Sequence, residues 1–379
     1  MKKIVALRDP SAAERRTTLN PATTEKLVKL GAEVAIESGL GTAVHFTDAD
    51  YVAKGATVFT DRASALANAD IVLRLRPPSP QEAASARPSS LHVGYLDPFT
   101  NKPLAEAFAQ SGATALAMEL VPRSTIAQKM DALSSQANLG GYVAVILAAE
   151  RLNKVFPMMM TPAGTITPAK VFIIGAGVAG LQAIATAKRL GARVEAFDTR
   201  PVVKEQVQSL GAKFVEVDLG ETGQTKDGYA KALTEEQLAK QREAMARHCA
   251  EADVVITTAQ VFGRKAPIIV TADMVRGMKP GSVVVDMAVE TGGNVEGSQL
   301  DQEIEINGVL VIGLGNLPGR VPVAATQVYA SNLGNLVEHF WDKKAKVFRL
   351  NLEDDILKGC TVTHGGNIVH EGVRKALGL

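Results

Sequence analysis

Apolar residues fall along the chain in two alternating patterns. Short runs at Lys3–Leu7, Glu33–Glu37, Ile71–Leu75, His92–Leu96 and Thr114–Met118 read as strands. Between them, stretches such as Pro21–Leu30 and Lys102–Ala109 repeat apolar positions at helical spacing. Strand and helix in alternation predict a mostly parallel sheet covered by helices. Pro77-Pro-Ser-Pro-Gln81 reads as a loop, because prolines interrupt both kinds of ladder. A second series follows residue 170, with strands at Val171–Ile174, Val194–Phe197, Lys213–Val217, Val254–Thr257, Ser282–Asp286 and Val309–Ile312. The polar, glycine-rich Gly220–Gly228 reads as a mobile loop ahead of a charged helix, Glu235–Ala250. Long helical patterns at Ala137–Lys154 and Thr326–Phe340 flank this series. A further strand pattern, Lys346–Leu350, lies in a tail too short to be a domain, so the tail is expected to return to the first lobe. The expected lobes are residues 1–138 with 326–379, and residues 139–325.

The strand Val171–Ile174 runs into Gly175-Ala176-Gly177-Val178-Ala179-Gly180, then an alanine-rich helix, then a strand that stops at Asp198. Each part has a job in binding a dinucleotide. Gly175 allows the tight turn, Gly177 admits a pyrophosphate to the backbone, and Gly180 lets helix and strand pack closely. The helix N-terminus offers unpaired N–H groups and the positive end of its dipole. Asp198 stands where a carboxylate accepts the ribose hydroxyls, and it favours NAD by repelling a 2′-phosphate. Arg200, just beyond Thr199, is the residue type that accommodates that phosphate. On an extended strand end it shares a face with Asp198 and can pair with it. The expected fold class is α/β: two Rossmann-like doubly wound parallel-sheet domains with a cleft between them, joined by two long helices.

Composition narrows the function. The chain has 379 residues, 46% apolar and 21% charged, with a net charge of +1. This suits a soluble globular protein and gives no general attraction to nucleic acid or anionic membrane. Aromatic residues at 4% leave little for stacking on single-stranded nucleic acid. No run reaches the roughly 18 consecutive apolar residues of a membrane span. MKKIVALRDP reads as a first strand, not a signal peptide. Cys249 and Cys360 lack C-x-x-C spacing and the histidines form no ligand pattern, so neither a disulfide framework nor a metal site is expected.

A second constellation lies at Glu119–Asn138, which gathers Arg123, Gln128, Asp131, Ser134, Ser135, Gln136 and Asn138. These are either the polar face of a helix or groups aimed at a nicotinamide carboxamide. In the second reading Arg123 or Gln128 donates to the amide oxygen, and Asp131 accepts from the amine. Met158–Met160 reads as packing between lobes. Val285–Gly293, with Asp286 and Glu290, and Gly313–Asn316 lie beyond strand ends and read as pocket walls.

Longer strings carry a family resemblance. AMEL-PR at 117–123, Q-x-x-D-x-x-SSQ-x-N at 128–138, FPMMMT at 156–161, GVAGLQAIATAKRLGA at 177–192, KEQVxSLG at 204–211 and MKPGSV at 278–283 resemble the NAD(H)-binding component of proton-translocating NAD(P) transhydrogenases. The resemblance covers nearly the whole chain. It implies direct hydride transfer between NAD(H) on this chain and NADP(H) on a partner beta subunit, coupled to proton movement through a membrane-spanning subunit. It also implies a homodimer without a membrane span of its own, cytoplasmic and held at the inner membrane by those partners. By resemblance Arg123, Gln128 and Asp131 hold the nicotinamide, with Met130 and Ser134 beside them. Gly175, Ala176, Gly177, Val178 and Gly180 take the phosphates, and Asp198, Thr199 and Arg200 take the adenosine ribose. Gly228 and Tyr229 fall on a loop tip that closes over nucleotide. Gln241 and Gln260 match further nucleotide contacts.

The family is a relative of alanine dehydrogenase, which supplies the alternative reading; a nucleotide sensor without catalysis is a third. Reducing a keto acid requires a lysine or histidine to protonate the carbonyl oxygen. Arg74 and Asp97 stand at those positions here. Arginine keeps its proton and ionised aspartate has none to give. Hydride exchange between two nicotinamides needs no such group.

Overall fold

The structure is a computed structural model that describes residues 1–220, 223, 234–260 and 263–379. The chain divides into two compact units, residues 1–136 with 321–379 and residues 137–320. The division falls inside one helix, Ala132–Arg151.

The first unit is built on an eight-stranded sheet. Its order is Asn367–Ile368, Thr361–His364, Thr114–Ala117, Leu91–Gly94, Ile71–Leu73, Lys3–Ala6, Glu33–Glu37 and Thr57–Phe59. The strands before residue 118 pair in parallel. Counted in chain order, they lie 3-2-1-4-5-6 across the sheet, the doubly wound arrangement. The C-terminal segment adds two antiparallel strands at one edge, through Thr361–His364 on Thr114–Ala117. One face of the sheet buries Ile4, Ile71, Leu73 and Leu116 against Leu27, Tyr51, Tyr329 and Leu333. The other packs Ala115 and Ala117 against Leu104, Phe108, Val362 and Val373. Each large aliphatic side chain so covered contributes about 1.5–3 kcal/mol.

The second unit carries a seven-stranded sheet in the order Lys213–Phe214, Arg193–Phe197, Lys170–Ile174, Val254–Thr257, Val283–Asp286, Val309–Gly313 and Gln302–Ile306. All pairs are parallel except the last, where Gln302–Ile306 runs against Val309–Gly313. The parallel strands again lie 3-2-1-4-5-6. Phe172, Ile174, Val255 and Val284 share a core with Met245, Cys249 and Val275. Burial pushes the thiols of Cys249 and Cys360 up to about 12, which makes them inert packing groups.

Several local expectations are corrected. Pro80 opens a helix, Pro80–Ala84, where a loop is expected, because Ser79 caps it and proline at the first position forfeits no hydrogen bond. The long helices run Ala132–Arg151 and Pro322–His339, each starting upstream of its periodic pattern. The first of them is long and apolar enough to cross a membrane, although no unbroken apolar run announces it, and half of its apolar window is buried inside the protein. It packs backbone against backbone: a Cβ on Gly141 would run into the carbonyl group of Ala179. The methionines expected between lobes instead form an exposed hairpin, Met159–Thr161 with Gly164–Ile166. Met158 there is 60% exposed and Met160 79%. The strand expected at 346–350 is the short Val347–Phe348, paired with Trp341–Asp342.

Candidate functional site

In the second unit, Lys170–Ile174 and Val254–Thr257 are neighbours in the middle of the sheet, where the strand order reverses. The crevice outside the carboxyl ends of such strands is where ligands bind in doubly wound sheets. The glycine turn lies there. Gly175 has φ +99°, a conformation that side chains with a Cβ rarely adopt. Thr258, at the end of the neighbouring strand, donates its hydroxyl to Gly175 O at 3.1 Å. A Cβ on Gly180 would run into that same carbonyl, so the helix Val178–Arg189 meets the turn with no room for a side chain. Gly177 differs: its φ is ordinary, and a Cβ there would meet nothing closer than Arg200 Nη2 at 4.0 Å. The space above Gly177 suits an incoming phosphate. Among the described residues no side chain caps this helix, so its first N–H groups remain to be satisfied by a ligand or water. Val178 is 36% exposed beside them.

Asp198 follows the strand Arg193–Phe197 and is drawn onto the turn. Its Oδ2 accepts from Ala176 N at 2.7 Å and from Arg200 Nη2 at 2.7 Å. Its Oδ1 accepts from Arg200 N and Nε, both at 2.8 Å. The bond to Asp198 raises the pKa of the Arg200 guanidinium further, against burial. Thr199, between them, is half-buried.

The acidic loop beyond Val283–Asp286 is not the pocket wall that its composition suggests. Asp286 is fully buried. Its carboxylate accepts from the backbone N–H groups of Ala288, Asn294 and Val295, at 3.0 to 3.2 Å. Asn294 in turn accepts from Ala259 N and donates to Ala259 O and Pro267 O. Asp286 and Asn294 therefore shape the two loops at this edge and offer nothing to a ligand. Gln260 is exposed and donates to Met287 O at 2.9 Å. Gln241 lies in the helix Glu235–Glu251 and is 5% exposed. Gly228 and Tyr229, with most of the loop expected to be mobile, lie outside the described residues.

In the first unit, the polar segment splits into a short 3-10 turn, Ala127–Met130, and the long helix. Asp131 joins them. Its carboxylate accepts from Ser134 N at 2.8 Å and Ser134 Oγ at 2.6 Å, capping the helix start. Arg123 Nε stands 3.9 Å from Asp131 Oδ2. Arg123 and Gln128 are exposed, so the turn presents a guanidinium, an amide and a carboxylate together. Met130 is fully buried and anchors the turn in the core. Two residues that no motif singles out hold this turn. Asn332 Nδ2 and Asn335 Nδ2 both donate to Lys129 O, at 3.0 and 2.9 Å. Their only sequence signal is a pair of asparagines three apart on an otherwise apolar helix.

The carboxyl edge of the first unit's own sheet is filled by internal ion pairs. Arg16 reaches both oxygens of Glu14 (Nε 2.8 Å, Nη2 2.7 Å) and donates to Gln136 Oε1 at 2.8 Å. Arg76 Nε bonds Glu14 at 2.9 Å. Burial alone would push Glu14 up, but the Arg16 and Arg76 guanidiniums outweigh it and hold the carboxyl below its usual range. Arg74 is 5% exposed, with Nη2 2.9 Å from Glu82 and 3.3 Å from His92 Nδ1. Burial, with Arg74 adding to it, holds His92 well below the usual imidazole range, so this ring is neutral. Glu119 accepts Leu96 N and Asp97 N on one oxygen, at 2.8 and 2.7 Å. Burial pushes its carboxyl up to about 7.

Comparison with known proteins agrees with both halves. The "Alanine dehydrogenase/PNT, N-terminal domain" family model matches residues 7–140, and the "Alanine dehydrogenase/PNT, C-terminal domain" model matches residues 144–371. An NAD(P) transhydrogenase alpha subunit of Rhodospirillum rubrum is 44% identical over 375 residues, covering 97% of this chain and 98% of that protein. The crystal structure of transhydrogenase from Sinorhizobium meliloti superposes with a TM-score of 0.87 at 44% identity, covering 97% of this chain and all of that one. An L-alanine dehydrogenase structure superposes with a TM-score of 0.81 at 28% identity, covering 99% of both chains. With the glycine turn at the strand reversal and likeness running through both units, the chain belongs to the alanine dehydrogenase/PNT family, among its NAD(P) transhydrogenase alpha subunits.

Proposed function

We propose that this chain is the NAD(H)-binding subunit of a proton-translocating transhydrogenase, exchanging hydride directly with NADP(H) carried on a partner beta subunit. The bound nicotinamide supplies the carbon that gives or receives hydride. The residues of the chain bind and orient it. N–H groups at the start of Val178–Arg189 take the pyrophosphate and Asp198 takes the adenosine ribose. Arg123 and Gln128 donate to the carboxamide oxygen, and Asp131, ordered by Ser134, accepts from the amine. Catalysis is then a matter of holding two nicotinamides at transfer distance.

One observation favours this over an alanine dehydrogenase-like reaction. Arg74 is buried and paired with Glu82, so it stands as a fixed cation that keeps its proton. Asp97, at the other position where a keto-acid reductase needs a proton donor, is a carboxylate with φ +51°. Neither group performs the protonation that a keto acid requires. The higher identity to the transhydrogenases than to the alanine dehydrogenase points the same way.

The same reading gives Gly228 and Tyr229 the closing loop, and Gln241 and Gln260 secondary contacts. It also gives a homodimer, which the exposed methionine hairpin supports. A membrane-spanning subunit then holds the chain at the cytoplasmic face of the inner membrane. The test is to mix the purified chain with an NADP(H)-binding beta subunit, NADH and an NADP-site acceptor. Hydride exchange is expected. Alanine-dependent reduction of NAD by the chain alone, without exchange, would overturn the reading.

A further inference from the structure

We propose that Arg200 is a specificity-determining latch: its side chain occupies Asp198 in the free protein, must be displaced by NAD(H), and is then positioned to meet a 2′-phosphate. This rests on the reading of Asp198 as the ribose acid.

Asp198 accepts four N–H bonds, from Ala176 N, Arg200 N, Arg200 Nε and Arg200 Nη2. A carboxylate has about four acceptor positions, so this one is saturated. A ribose brings two hydroxyl donors. Ala176 N belongs to the glycine turn and Arg200 N to the strand end, so neither leaves without breaking the backbone path. The guanidinium bonds are the two that a side-chain rotation releases, and two is the number a ribose diol requires. The same guanidinium covers Gly177, with Nη2 4.0 Å from the position of a Cβ there. It therefore lies over both the ribose acid and the glycine that a pyrophosphate approaches. Side-chain exposures of 14% for Arg200 and 6% for Asp198 mean that bulk salt screens the pair only in part.

Two effects of opposite sign follow. Affinity for NADH is lowered by the fraction of molecules in which Asp198 is still latched. Affinity for NADPH is raised, because a displaced cation beside the 2′ position offsets the repulsion that Asp198 exerts on a phosphate. Arg200 thus narrows the gap between the two nucleotides, whereas Asp198 alone would widen it.

The test is fluorescence titration of the full chain with NADH and with NADPH, for the wild type, Arg200→Ala, Arg200→Gln and Asp198→Ala. Melting curves on each variant identify any that fail to fold, and the two Arg200 changes stand in for one another. Both Arg200 variants are expected to bind NADH about three- to tenfold more tightly and NADPH more weakly. NADH binding that is unchanged or weaker in folded Arg200 variants, while Asp198→Ala still weakens it, overturns the latch and leaves the ribose reading standing. Unchanged NADH affinity in Asp198→Ala overturns the ribose reading, and the latch with it.

Discussion

Asn332 donates its side-chain amide to the carbonyl of Lys129 at 3.0 Å, across 203 residues of sequence. Asn335 donates to the same oxygen, and Ser135 Oγ donates back to Asn332 Oδ1 at 2.7 Å. Two donors on one carbonyl fix the turn that presents Gln128 and leads into Asp131. Asn332 is 6% exposed, so its removal strips a bond in a place that water reaches poorly. Asn332→Leu is expected to cost about 1–3 kcal/mol of stability and to weaken NADH binding. Asn335→Ala, at a more exposed bond, is expected to do less of both. Melting curves and NADH titrations check this. A lower melting temperature with unchanged NADH affinity would separate the turn from the site.

The glycine turn makes a contrast between neighbours. Gly180→Ala forces a Cβ into the Gly175 carbonyl, so it should lower the melting temperature and abolish NADH binding together. Gly177→Ala has room in the free protein and should leave the melting temperature nearly unchanged. It should still weaken NADH binding at least tenfold, by standing where the pyrophosphate approaches. If Gly177→Ala binds NADH normally, the phosphates do not lie over this turn.

The interior strands are legible because they are covered on both sides. Glu33–Glu37 and Val254–Thr257 begin and end where their residue runs do, since branched apolar side chains are required on both faces. Edge strands escape notice for the converse reason. Thr57–Phe59 is largely exposed, and Gln302–Ile306 alternates glutamate with isoleucine, so neither forms an apolar run. The chemistry of acids is legible in position but not in employment. Asp198 and Asp286 both follow strands, yet one is bound by a side chain that can leave and the other by backbone that cannot. Sequence spacing shows which groups reach an edge, whereas only packing shows which are already consumed.

Glu119 gives stability a pH dependence whose sign is fixed. Its carboxyl is pushed from 4.5 to about 7 by burial. Below pH 4.5 it is protonated in both folded and unfolded chains. Between 4.5 and about 7 the folded state keeps a proton that the unfolded state has lost, so stability falls as pH rises through that window. The loss is on the order of 3 kcal/mol once both states are ionised. Glu119→Gln retains an oxygen for Leu96 N and Asp97 N and carries no charge. Its melting temperature should equal or exceed that of the wild type at pH 8, and the advantage should vanish near pH 4.5. Parallel curves across this range would show that Glu119 does not titrate as described.

The methionine hairpin carries the oligomer prediction. Met158 and Met160 expose apolar side chains next to Ile166, itself 43% exposed. Changing Met158 and Met160 to aspartate should shift the chain from dimer to monomer in sedimentation or light scattering while leaving the far-ultraviolet circular dichroism unchanged. A dimer that persists locates the interface elsewhere.

The strand Thr361–His364 lies on Thr114–Ala117, and the whole of residues 137–320 is synthesised between the two. During translation the first sheet therefore waits with an open edge whose N–H and C=O groups have no partner from their own chain. The inserted unit meanwhile has every strand of its own sheet in hand as soon as it clears the ribosome. Synthesis thus finishes the middle of the molecule before its beginning. The nascent first sheet is the part that a chaperone would shield, and a ribosome that stalls before residue 361 releases a chain with one complete unit and one open edge.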